Sequence, residues 1–169
     1  MRKLNFKNNK GFTLIELLIF MGIFSILLVA LFEMFGAIFD VQLESQSTSA
    51  VAVDGRYITN KLTVDIKNAI SVTTPSSGSQ GASLVISDGV TTYTYVLSNG
   101  NLNLTNSTLG TTDQLNSVNT KVTSLNFLRL SDTNSQNRNT ITATFTINST
   151  TKKRSGVVAE TFKFTAGTR

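Results

Sequence analysis

The sequence predicts an α+β protein: one long N-terminal helix, its first half spanning a membrane and its second half packed on an antiparallel β-sheet. Three observations carry this expectation. Residues 12–39 form an almost unbroken apolar run. Apolar residues then recur three and four positions apart across 58–70, the period of a helix with one buried face. Beyond residue 83, short alternating stretches are separated by Asp-Gly and Asn-Gly turn pairs.

Residues 1–11, MRKLNFKNNKG, are short, polar and basic, and read as a leader. Of the 15 Lys and Arg residues, four (Arg2, Lys3, Lys7 and Lys10) fall there, which leaves 11 against the 10 acidic residues. The net charge of +5 is thus a property of the leader. A basic flank before an apolar run holds that end in the cytoplasm, and no nucleic-acid partner is assigned.

Residues 12–39, FTLIELLIFMGIFSILLVALFEMFGAIF, are the transmembrane and assembly segment. As a helix the run extends roughly 42 Å at ~1.5 Å per residue, more than the ~30 Å of bilayer hydrocarbon. Leu17 to Phe32 is apolar all round, which suits burial in lipid or among like helices. A removed secretory signal fits worse, because its apolar core runs only ~7–15 residues. Residues 40–72 continue the helix into water, since the single proline, Pro75, comes later. Ile58, Leu62, Ile66 and Ala69 or Ile70 supply the buried face, with Arg56, Lys61, Asp65 and Lys67 mostly between them. Gly36 and Gly55 each weaken the helix by about 1 kcal/mol relative to Ala.

Residues 73–169 make one sheet-bearing head together with 40–72. TTPSSGSQGA at 73–82 reads as a linker. Strands are expected at Ser83–Ser87, Thr92–Leu97, Asn101–Thr105, Val122–Leu130, Thr140–Ile147 and Val157–Thr165, with loop across 106–120. Phe127, Phe145, Phe162 and Phe164 fit sheet packing. Lys152-Lys153-Arg154 reads as an exposed turn between strands.

There is no Cys and no His. That removes disulfides, thiolate and imidazole metal sites, Cys nucleophiles and His-containing triads. No cofactor or metal is expected. Asp88, Asp113 and Asp132 sit in turn-like places where carboxylates serve the backbone, and no spacing suggests a paired-carboxylate enzyme. The sequons at Asn103, Asn106 and Asn148 are what a Ser/Thr/Asn-rich composition produces by chance.

The informative residues are Lys10-Gly11-Phe12-Thr13-Leu14-Ile15-Glu16. A carboxylate at the mouth of an apolar segment is costly, ~2.5–3.5 kcal/mol at a helix centre and less near an end. The helix dipole favours it within the first turn. If the chain is cut after Gly11, the ammonium of Phe12 is created four residues from Glu16. The two charges can then pair, within a chain or between neighbours, and between neighbours the pair fixes axial register. Glu33 falls at the far bilayer interface, with pairing to a neighbouring subunit as the second option.

This heptapeptide, with the apolar run behind it, closely resembles the processing site of type IV pilins and type II secretion pseudopilins. The resemblance implies that a prepilin peptidase cuts between Gly11 and Phe12 and methylates the Phe12 amine. It implies that Glu16 meets the N-terminal amine of an adjacent subunit during assembly. The implied fold is a long helix whose second half packs on an antiparallel sheet, and the partners are the peptidase, other pilin or pseudopilin subunits and the membrane. The implied location is the cytoplasmic membrane, single-pass with the head outside, and then a filament. Residues 58–71 with the strands at 122–130 and 140–147 look like minor pilins and J-type minor pseudopilins, which leans the expectation towards a minor subunit. Two features depart from the family. Where many pilins carry a mid-helix proline this chain has Glu33 and Gly36, and it lacks the cysteines of a disulfide-closed loop. The alternative functional reading is a binding or adhesin domain held by an uncut signal anchor, and the third is an exported enzyme.

Overall fold

A computed structural model describes residues 11–130, 139–151 and 156–169. Asp132 and the Lys152-Lys153-Arg154 cluster lie outside the described residues. The chain divides into two compact units, one ending at Val41 and one spanning Gln42–Arg169.

Helix α1 runs Leu14–Asn68. Thr13 caps it: its carbonyl accepts from the Glu16 and Leu17 amides at 3.1 and 3.2 Å. No proline interrupts it. In the first unit every residue of α1 is exposed. By length and composition this is the one helix among the described residues apolar enough to cross a membrane. Its one hydroxyl within the run, Ser25, donates to the Met21 carbonyl at 2.8 Å and so needs no outside partner.

In the second unit α1 buries Val51, Ile58, Leu62 and Ile66, and Ala69 beyond the helix end is buried with them. The choice between Ala69 and Ile70 falls to Ala69, because Ile70 is 54% exposed. The helix stops at Asn68, short of the expected 72. The Ala69 amide tightens onto Ile66 O, and the Ile70 amide leaves the helix for Ser87 O. The β-branched run before Pro75 then pairs as β1 (Ser71–Thr74), as the residue before a proline favours.

The remaining strands are β2 (Gln80–Gly81), β3 (Ser83–Ser87), β4 (Thr92–Ser98), β5 (Asn101–Asn106), β6 (Thr111–Gln114), β7 (Thr120–Leu130), β8 (Thr140–Ser149) and β9 (Ala159–Gly167). All pair antiparallel. They form two sheets, β1-β3-β4-β5-β6 and β2-β7-β8-β9, where one was expected. β1 takes two residues from the expected helix and two from the expected linker, the linker also supplies β2, and the expected loop contributes β6. These are short strands; β2 depends on a partner distant in sequence, Gln80 facing Leu128, whereas β6 folds straight back on β5, with the Thr105 and Thr112 hydroxyls 3.0 Å apart. The β4–β5 turn puts Asn99 and Gly100 at φ 52° and 77°, the left-handed pair that a two-residue hairpin requires.

Both sheets lay apolar faces on the helix. Leu84, Ile86, Tyr95 and Leu102 come from the first sheet. Phe127, Ile141, Phe145 and Ile147 come from the second. Phe162 stacks on Phe145 at 5.4 Å and sits where a Gly55 Cβ would be, 2.0 Å from its nearest ring atom. Gly55 therefore permits close approach of helix and sheet as well as weakening the helix.

Candidate functional site

Gly11, Phe12 and Thr13 precede the helix, and Glu16 lies in its first turn. Lys10, the remaining expected processing residue, lies outside the described residues. A Cβ on Gly11 would meet nothing within 4 Å, and its φ is not in the left-handed region. Among the described residues nothing packs so as to demand glycine there, so a requirement for it would come from whatever reads this segment. Phe12 is 80% exposed.

Thr13-Leu14-Ile15-Glu16 also has the spacing of a capping box. The Glu16 amide points at Thr13 Oγ1 from 3.4 Å. This local role for Thr13 went unread in the sequence, although Ser/Thr followed three residues later by Glu is its ordinary signal. Between Phe12 and Phe39 the polar side chains are Thr13, Glu16, Ser25 and Glu33. Thr13 and Ser25 are accounted for by the helix itself. Neither the Glu16 nor the Glu33 carboxylate has a partner among the described residues, and no metal-binding cluster occurs among them.

The head holds two buried carboxylates that periodicity alone did not pick out. Asp54 Oδ2 accepts from the Ser117 amide at 2.8 Å, the Ser117 hydroxyl at 2.7 Å and the Thr120 hydroxyl. Asp65, expected on the polar side, is buried instead. It accepts from Tyr95 Oη and pairs with Lys61 at 2.9 Å, and Lys61 sits 5.7 Å from the Tyr93 ring centroid. Burial, reinforced by the bond to Asp65, pushes the Tyr95 phenol far above the usual tyrosine range. Both carboxylates accept from amide, hydroxyl or ammonium donors and staple the helix to a sheet or loop. Asp88 accepts from the Thr91 and Val90 amides at 2.7 and 2.9 Å, which hold its carboxyl below the usual value. Asp113 is exposed on β6.

An apolar helix opening on a Gly-Phe junction and continuing into an antiparallel α+β head is a pilin-like arrangement. Residues 6–32 match the family model described as the prokaryotic N-terminal methylation motif, the signature of type IV pilins and pseudopilins. No curated protein and no solved structure shows a significant match to the chain.

Proposed function

We propose that the chain is a structural subunit of a type IV pilus or type II secretion-like filament. The observation that carries this is the methylation-motif match over residues 6–32. Prepilin peptidase reads Lys10-Gly11-Phe12, cuts after Gly11 and methylates the new amine of Phe12. That amine supplies the charge that Glu16 lacks within the described chain, in the positive first turn of α1. Pairing it with Glu16 of a neighbour neutralises both groups in an apolar setting and sets one helix against the next. The helix is held in the cytoplasmic membrane before assembly, with the head 42–169 outside. The pattern of residues 58–71 favours a minor subunit, present in few copies.

The test is Glu16→Ala in the producing cells. Insertion and trimming should persist while recovery in the sheared filament fraction falls. Unchanged recovery in filaments would count against the pairing of Glu16, whereas an intact leader on the mature protein with surface display unaffected by the substitution would favour the alternative of an uncut anchor carrying a binding domain.

A further inference from the structure

Among the described residues β9 is the longest open edge of either sheet. The other outer strands are blunted: β1 has four residues and a register shift, β2 has two and β6 has four. β9 has nine, contains no proline, and pairs with β8 without any shift. A long, regular edge is a template for another strand, and proteins normally shorten, bend or charge such edges. On β9 the charges are Glu160, next to its start, and Lys163, in its middle.

The backbone shows what this edge offers. The Ser149 amide donates to Val158 O and the Thr168 amide to Asn139 O, both at 2.8 Å, so the even-numbered residues of this segment face β8. Alternation along an antiparallel ladder then turns the N–H and C=O of Ala159, Thr161, Lys163, Thr165 and Gly167 outward. None of these groups is hydrogen-bonded to a described residue. The side chains match. Phe145 and Ala143 on β8 are fully buried, whereas Phe162 and Phe164, directly opposite them on β9, are only half-buried, because no strand flanks them. On the other face, the Thr161 and Thr165 hydroxyls bond to those of Thr146 and Thr142 at 2.9 Å. Lys163 between them is exposed and forms no ion pair with a described residue.

We propose that the outer edge of β9 takes an extended segment of a different polypeptide as an added antiparallel strand. That segment carries apolar side chains at alternate positions, which cover Phe162 and Phe164, and an acidic side chain opposite Lys163 on the other face. A second copy of this chain fits less well. Its β1, β2 and β6 edges are too short to span β9. The one register in which two β9 strands pair along their whole length, 159 with 167, sets Lys163 directly against Lys163, and like charges so placed repel. The inference concerns the head alone and stands or falls separately from the filament reading.

The probe is a fluorescent nine-residue peptide, Thr-Val-Thr-Val-Glu-Val-Thr-Val-Thr, titrated by anisotropy with the full chain in detergent. Saturable binding is expected. Methylating the amide nitrogens of the Glu and its two nearest Thr residues removes donors aimed at β9 and should weaken binding at least about tenfold. Lys in place of the peptide Glu should weaken it about threefold or more, and Lys163→Glu in the chain should invert that preference. Thr165→Pro removes one outward N–H without touching the β8 ladder; it should also weaken binding about tenfold while the circular dichroism spectrum stays that of the wild type. Absence of saturable binding would overturn the proposal, as would binding indifferent to the N-methyl groups or to the charge at residue 163. Self-association of the chain that Thr165→Pro abolishes would overturn it too, since the occupant would then be a second copy.

Discussion

Replacing Asp54 by Ala in the head fragment 40–169 is the sharpest test of how helix and sheet are joined. The carboxylate gathers three donors from the 116–120 turn onto one oxygen. Ser117 is exposed, so its amide and hydroxyl recover water, and losing those two bonds costs about 0.5–1.5 kcal/mol. Thr120 is fully buried. Its other acceptor among the described residues, Ser117 O, is 3.5 Å away. Orphaning that hydroxyl costs about 1–3 kcal/mol. The sum is roughly 1.5–4.5 kcal/mol, centred near 3. A unit of about 130 residues has an unfolding entropy near 0.27 kcal/mol/K at its midpoint, so Tm should drop by roughly 10 °C. Thr120→Val alone leaves Asp54 with both Ser117 donors and should cost about 1 kcal/mol. Combined with Asp54→Ala it also removes the orphan. The double variant should then be at least as stable as Asp54→Ala alone, instead of showing the sum of the two losses. Urea titration of fragment 40–169 and its variants measures all three. A loss within about 0.5 kcal/mol for Asp54→Ala, or strict additivity, would refute the reasoning.

The same fragment should be soluble and show mixed helix and strand by circular dichroism; an all-helical spectrum would contradict the two sheets. Because Tyr95 ionises far more easily unfolded than folded, its contribution is complete below the ordinary tyrosine pKa of about 10 and is lost as pH rises beyond it. Stability should therefore fall above about pH 10, and Tyr95→Phe should flatten that limb while costing stability at neutral pH through Asp65; an unchanged alkaline limb would count against the buried phenol. Gly11→Leu should leave a full-length, membrane-held precursor on an immunoblot. Since nothing among the described residues crowds Gly11, that variant should fold as the wild type does, and normal trimming would contradict the processing site.

The α+β arrangement was legible because its signals are local. The apolar run, the spacing of Ile58, Leu62 and Ile66, and the Asn99-Gly100 turn each act through neighbours in sequence. Division into two sheets was not legible. It depends on β6 and β7, consecutive in the chain, not pairing with each other, and the edge strands β1 and β2, four and two residues long, add pairings with β3 and β7 that no short-range pattern announces. Asp65 was misplaced because helical periodicity ranks a carboxylate as polar, whereas Tyr95, thirty residues away, makes its burial tolerable. Gly55 read as a weak point until Phe162 was found against it. At the N-terminus the order of legibility reverses. The heptapeptide around Gly11 and Phe12 carried its meaning in sequence, while the structure adds only the Thr13 cap and the openness around Gly11.

The central claim is that a new amino terminus is created at Phe12. Intact-mass analysis of the protein purified from the cells that make it reads this directly. The account predicts a chain beginning at Phe12 and heavier by one methyl group. A mass corresponding to a chain that still begins at Met1 would contradict it.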